Sequence, residues 1–355
     1  MEAHSNNTDE KDSREIIGLQ DEIEDIQNAI ADFETGKRLN VAIIAEPLGG
    51  KTTLANEIER LNIHRATKIT FSGIIRDKKE ISLPEDTERI VILDNCHFLY
   101  TRKAGGFDIF YEFLSMVSSQ NRIFITTWNT FSWRNLNEIF SLEKYFPVLI
   151  TIPAFEKESF RKLLLRRYEE GEITFGRSDE EAKKETLVYI QNYPLELALL
   201  GKKVYLPILK INVSYLKKSL LNREREEKEE EKETAENRVL EEIYRESKGN
   251  PGIALRVWEL GLDYPHIEPD DVPHFSYDIE LEQEEAFVLE LILSYQGLRK
   301  SEIICMIDSV LRTDEILLRL LNKELIFEHE DGSFRVRPEA LRSVIAYLEK
   351  LRLVW

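Results

Sequence analysis

A mixed α/β fold built on a parallel sheet is predicted by three observations. Apolar runs at residues 41–44, 90–93, 122–127 and 145–153 are too short for helices, and unbroken runs of this length are what strands buried on both faces look like. Between them lie segments whose apolar residues recur at helical spacing, as crossover helices between parallel strands require. The stretch NVAIIAEPLGGKTT, residues 40–53, then passes from one such run through a Pro- and Gly-rich loop into the amphipathic TLANEIERL, giving strand, loop and helix without a break.

That loop has the chemistry of a phosphate cradle. Backbone N–H groups along residues 46–51 point into an anion-sized nest, with the positive end of the next helix behind them. Set against the Walker A pattern, Ala45 stands at the first Gly position and Gly50, Lys51 and Thr52 form the GKT end. The expected nucleotide-binding set is Glu46, Pro47, Leu48, Gly49, Gly50, Lys51, Thr52 and Thr53. Lys51 is placed to reach the β and γ phosphates of ATP, and the Thr52 hydroxyl to ligate Mg²⁺. Ala45 keeps the first corner small but gives up some freedom at positive φ.

Other candidates follow from chain order. The run at 90–93 closes on Asp94. Open α/β sheets bind ligands at the carboxyl ends of their strands, so Asp94 is placed to hold Mg²⁺ through water. Asn95 comes next, and an amide orients water but cannot accept its proton. Thr127, with Asn129 as its substitute, ends the run RIFITT, the place where resemblance to AAA+ and STAND ATPases implies a polar side chain that feels the γ-phosphate or the attacking water. His97 is expected as a structural histidine at the strand exit, a contact to a switch or partner subunit being the alternative. Trp128 and Trp133 are expected in the core, a contact surface beside Arg134 being theirs.

The remaining chain sets the domains. Residues 1–15 read as a polar tail and 16–155 as the nucleotide domain, with an amphipathic helix carrying Ile23, Ile26, Ile30 and Phe33 on one side. Residues 156–262 read as a helical lid, its helices running through ETLVYIQNYPLELALLGKKVYL, with a charged insertion at about 222–237. A Pro- and Asp-rich linker at 263–277 precedes a C-terminal domain at 278–355, where three helices and the hairpin IFEHEDGSFRV follow one another.

Several of these stretches resemble AAA+ and STAND ATPases. IIGLQDEI resembles the box that holds adenine in those families, which implies base contact for Ile17 and Gly18. DNCHFL resembles their D-E/D-x-H-x-L stretch, and GNPGIALRVW their G-x-P-x-A-L signature, implying that Pro251 packs near the base and that Arg256 is a cation facing phosphate. Where these families often carry a second acid after the Asp, this chain has Asn95. Hydrolysis is therefore expected to be slow, or completed by a partner subunit, with Arg89, Arg102, Arg122 and Arg134 all available as the arginine acting across the interface. The C-terminal order resembles a winged helix. The implied fold is a three-layer P-loop NTPase domain with a parallel sheet, a helical lid and a C-terminal winged-helix domain, in the layout of prokaryotic, archaeal-looking origin-recognition and transposition-regulator ATPases.

Composition narrows the function. The net charge of −18 over 355 residues weighs against a surface that grips nucleic acid throughout. The C-terminal domain carries 10 Lys and Arg against 16 Asp and Glu, leaving Arg335, Arg337 and Arg342 as a small basic edge. Cys96 and Cys305 make neither a disulfide framework nor a metal site. No signal-like or membrane-spanning segment is visible, so a cytoplasmic protein without a membrane partner is expected. Three readings stay open: an ATP-dependent switch that hydrolyses slowly and acts on a protein partner or on itself, a DNA-binding ATPase that grips duplex DNA, and a nucleotide-binding scaffold without turnover.

Overall fold

The computed structural model describes residues 16–81, 89–176, 188–197, 202–211, 227–307 and 309–354. The chain divides into two compact units, one of residues 1–164, 247–256 and 275–355, the other of residues 165–246 and 257–274. The segment read as one lid, 156–262, is thus shared between them. The tail at 1–15 and residues 222–226 of the charged insertion lie outside the described residues.

In the first unit, α1 (Gln20–Glu34) buries Ile26, Ala29, Ile30 and Phe33, the stripe of a helix laid on a core. Then follow β1 (Val41–Ala45), α2 (Lys51–Leu61), β2 (Ala66–Thr70), β3 (Ile90–Asp94), α3 (Asp108–Ser119), β4 (Ile123–Asn129), α4 (Thr130–Phe140), β5 (Val148–Thr151) and α5 (Lys157–Leu165). The five strands form one sheet in the order β2-β3-β4-β1-β5, every pair parallel. Every residue of β1, β3 and β4 is buried, which is why these strands read as continuous apolar runs. The register sets Ala45 beside Asn129 and Leu93 beside Thr126. The loop after β1, Asp94 and Thr127 therefore emerge on one edge of the sheet.

Trp128 and Trp133 are core residues, 0% and 6% exposed. Their rings lie 5.6 Å apart, with Phe110 and Phe146 at 6.0 and 6.1 Å from Trp128. This aromatic block holds α3 and α4 against one face of the sheet, and each ring contributes about 2 to 3 kcal/mol by burial.

In the second unit, β6 (Thr174–Phe175), β7 (Val188–Leu197), β8 (Lys202–Ile211), α6 (Glu227–Ser247), α7 (Pro251–Gly261) and β9 (His266–Ile267) follow, α6 and α7 having one end each in the first unit. β6 pairs in parallel with β9, and Trp258 packs on Tyr168 and Phe175. β7 and β8 form an antiparallel pair from Val188↔Ile211 to Leu197↔Lys202, which corrects the helices expected there. Pro194 and Pro207 fall inside the two segments, and each would cost a helix interior about 3 kcal/mol. A two-stranded pair leaves half its N–H groups facing outward, where Pro is tolerated. The flanking Val, Ile and Tyr favour strands as well.

The C-terminal part of the first unit comprises α8 (Gln283–Ser294), β10 (Leu298–Arg299), α9 (Lys300–Ile307), α10 (Val310–Asn322), β11 (Ile326–Glu328), β12 (Ser333–Val336) and α11 (Leu341–Lys350). The strands make an antiparallel sheet in the order β10-β12-β11. Asp331 and Gly332 turn the β11–β12 hairpin, with Gly332 at φ 74. Bonds from Ser333 to the Asp331 carboxylate hold that group well below its ordinary pKa. No described helix is long and apolar enough to cross a membrane.

α8 is buried on nearly every side and carries Glu290, 1% exposed. Glu290 is paired with Arg102 and accepts from the Ser294 hydroxyl at 2.6 Å. Burial pushes the Glu290 carboxyl up, with Arg102 opposing. Glu290→Ala is expected to cost about 3 kcal/mol, because it strands a guanidinium, while Arg102→Met with Glu290→Leu recovers most of the loss. Chemical denaturation of the two variants checks this.

Candidate nucleotide-binding site

The loop between β1 and α2 is shaped by three backbone demands. Leu48 and Gly50 stand at φ 63 and 92. At Gly49 a Cβ would lie 3.0 Å from the Glu46 carbonyl and 3.1 Å from the Ala45 Cβ, so space selects glycine there and positive φ selects it at Gly50. α2 starts at Lys51, which turns its unpaired N–H groups toward the loop.

Lys51 is 4% exposed. Its Nζ donates to the Ala45 carbonyl at 3.0 Å and the Glu46 carbonyl at 2.8 Å. Burial brings its pKa down to about 7, with the carboxylates of Asp94 and Glu46 pulling the other way. A buried lysine whose hydrogen bonds go to neutral carbonyls is one whose charged form an anion would stabilise.

Asp94 is fully buried at the end of β3. Its Oδ1 accepts from the Thr127 hydroxyl at 2.6 Å and from the Thr52 hydroxyl at 3.4 Å. Its Oδ2 has no partner among the described residues. Thr127 Oγ1 also accepts from the Asn95 backbone N–H at 2.8 Å, so one hydroxyl fixes both the carboxylate and the start of the next turn. A buried carboxylate oxygen left open beside a threonine hydroxyl fits Mg²⁺, a hard cation that takes oxygen ligands and keeps water.

Asn95 stands at φ 66, and its Nδ2 donates to the Phe71 carbonyl at 3.2 Å. His97 lies fully buried in the 3₁₀ turn Cys96–Phe98, its ring 4.7 Å from Phe98. Burial first and Lys51 second push its pKa down to about 3, so it is neutral at physiological pH. Asn129 caps α4 through Phe131 N at 3.0 Å and donates to the Leu293 carbonyl at 2.7 Å. Both ends of its amide are engaged.

Residues 247–256 cover the loop from outside. Asn250 donates to the Pro47 carbonyl at 2.9 Å, and its Oδ1 accepts from the N–H groups of Gly252 and Ile253, capping α7. Pro251 is buried beside it, and Gly252 N donates to the Leu48 carbonyl at 3.2 Å. A Cβ on Gly252 would come within 2.6 Å of the Leu48 Cβ. Phe155 joins the two expected base-binding segments, since Phe155 N donates to the Gly249 carbonyl and a Cβ on Gly18 would meet its ring at 3.2 Å. Ile17 and Gly18 are half-buried there, while Thr52 and Thr53 are exposed.

Arg256 is engaged elsewhere, its Nε donating to Glu339 at 2.6 Å. The arginine that reaches the loop is Arg342, whose Nη1 donates to Glu46 at 2.9 Å. Of the four arginines weighed for action across an interface, Arg89 lies over the Phe33 ring, Arg102 is paired with Glu290, Arg122 is buried and Arg134 is exposed. The sequence reading missed Asn250 and placed Arg342 only at a basic edge. An Asn directly before Pro at a helix start signals a cap, but nothing local signals its bond to Pro47.

No protein-family model and no curated protein matches the chain. Among solved structures, the RuvB Holliday junction branch migration motor of Thermotoga maritima is similar at 15% identity and a TM-score of 0.42, over 93% of this chain and 95% of that one. The ORC1 protein of Aeropyrum pernix in complex with DNA is similar at 12% identity and 0.38, over 96% and 95%. A Walker-type ATPase of Pyrococcus abyssi is similar at 12% identity and 0.40, over 93% and 96%. The chain is mixed α/β by its own five-stranded parallel sheet, in the order β2-β3-β4-β1-β5, with the glycine-bearing loop entering α2 at Lys51.

Thr127→Val removes one hydroxyl that serves two groups, Asp94 and Asn95 N. The expected loss is about 1 to 3 kcal/mol, with Thr127→Ser retaining most of the stability, as urea denaturation would read.

Proposed function

We propose that the chain binds ATP with Mg²⁺ and acts as a nucleotide-dependent switch that hydrolyses slowly. One observation carries the reading: at a single edge of the sheet, a buried lysine rests on its own loop carbonyls while a buried aspartate keeps an open oxygen. Lys51 exchanges those carbonyls for phosphate oxygens. Thr127 holds Asp94 in place, and Asp94 with Thr52 holds the cation. When bound, Mg²⁺ would neutralise charge on the β and γ phosphates.

Slow turnover follows from what lies next to Asp94. The Asn95 amide faces the Phe71 carbonyl, and no carboxylate follows Asp94 to take a proton from water. The same observation favours a second reading, a scaffold that binds nucleotide without turnover.

We read residues 278–355 as a winged helix from their order of helix, strand, two helices and hairpin. Its third helix, α10, carries Arg312 paired with Glu284, and Arg319 shared among Glu282, Glu285 and Glu315. Matched charge of this kind supports a protein partner, or a second copy of the chain, over duplex DNA.

Phosphate release from Mg–ATP by the purified chain tests the reading, beside Lys51→Ala and with and without duplex DNA. Turnover lost in the variant supports a slow ATPase. Binding without turnover leaves the scaffold, stimulation by duplex favours the DNA-acting rival, and absence of nucleotide binding overturns all three.

The lysine adds a pH signature. Its folded pKa of about 7 lies below the unfolded value of 10.5. Between these values the unfolded chain holds more protons, so nucleotide-free stability rises with pH across that window. Phosphate restores the ammonium, so binding there takes up a proton and affinity falls, by at most about tenfold per pH unit. Calorimetry at pH 8 to 9 in buffers of different ionisation enthalpy should detect that uptake, and Lys51→Arg, charged throughout, should lose it.

A further inference from the structure

Glu46 is an acid at the mouth of a loop built to receive anions. It directly follows β1, and its carboxylate is close enough to act on the charge of Lys51. Left alone, it would repel a triphosphate a few ångströms away, in a partly buried site where screening is weak.

Arg342 answers that charge from 296 residues away. Its Nε and Nη2 both donate to the Ser247 carbonyl, at 3.1 and 2.9 Å, and its Nη1 donates to Glu46 Oε2 at 2.9 Å. The paired bonds to one carbonyl fix the guanidinium plane, and the remaining nitrogen then has one direction to point. The Arg342 and Glu46 side chains are 20% and 36% exposed, so the pair is partly shielded from solvent. Ser247 begins the segment whose Asn250 holds the Pro47 carbonyl. One guanidinium thus braces the loop through its first residue and through the segment that covers it.

We propose that Arg342 is a positioning residue for nucleotide, the counter-cation that neutralises Glu46 so that the acidic loop accepts phosphate. This rests on the reading of the loop as an ATP site. Arg342 belongs to the segment 275–355, so the pair links nucleotide affinity to the seating of that segment on the loop. Linkage makes the effect mutual: nucleotide tightens the seating, and a partner that lifts α11 away weakens nucleotide binding by the same factor.

The test is calorimetric titration of the full chain with Mg–ADP and with a non-hydrolysable ATP analogue. Arg342→Met, which keeps the aliphatic stem, is expected to bind about ten- to a hundredfold more weakly. Glu46→Gln should bind several-fold more tightly, since the guanidinium is then free to attract phosphate. Glu46→Gln with Arg342→Met should regain at least about tenfold over Arg342→Met alone. The double variant leaves no stranded charge, so it reports even where Arg342→Met folds poorly. Unchanged affinity in Arg342→Met overturns the proposal. So does a double variant as weak as Arg342→Met, which would make Arg342 a direct phosphate ligand. Lys51→Ala reads the site separately: nucleotide binding that survives it overturns the reading of the loop, whatever the Arg342 series shows.

Discussion

Two ionisable groups of opposite sign, Lys51 and Asp94, are buried at the carboxyl edge of the parallel sheet, and the surrounding structure is arranged to tolerate them. Lys51 and Asp94 are 4% and 0% exposed. Removing such groups from water costs several kcal/mol each unless hydrogen bonds replace hydration. The loop carbonyls of Ala45 and Glu46 do this for Lys51, and the Thr127 and Thr52 hydroxyls do it for one oxygen of Asp94. The second oxygen has no hydrogen-bond partner among the described residues. Energy left unspent there is what a cation with its phosphates would recover.

The C-terminal segment is attached to that same edge by directional bonds. Asn129 holds the Leu293 carbonyl, Ser132 the Ser294 carbonyl, Tyr295 the Tyr100 carbonyl, and Glu302 accepts from Ile74 N. These join the ends of β4 and the turns after β2 and β3 to α8 and α9. Apolar packing alone would allow sliding, whereas bonds to single backbone atoms define a register. A shift at the carboxyl edge of the sheet therefore has a short physical route to residues 275–355: Thr127 and Asn129 are two residues apart on one buried strand.

What could be read from the chain was what is local. The glycine-bearing loop between β1 and α2, the position of Asp94 at a strand end and the buried strands are written in contiguous residues, because strand, turn and helix start each need particular residue types in order. The β7–β8 pair was missed because its apolar residues also satisfy helical spacing, and Pro194 and Pro207 carried the contrary information. Long-range polar pairs left no trace of this kind. Asn250 meets Pro47 across 203 residues and Arg342 meets Glu46 across 296, and neither segment carries a pattern that names its partner. Arg256 occupies the motif position of a phosphate-facing cation, yet in three dimensions its Nε donates to Glu339.

Asn95 shows why a motif departure should be read with its backbone. The chain turns sharply after β3 so that Phe98 N can return to the Asn95 carbonyl at 3.1 Å, and this needs a left-handed residue at φ 66. Asparagine enters that region more readily than most residues with a side chain. Its amide then donates to Phe71 on the neighbouring strand exit, bracing the β2 and β3 ends against each other. A glutamate would lose the donor and set a carboxylate against a carbonyl. The residue that stands where a second acid could have been thus also rigidifies the edge on which Lys51 and Asp94 depend.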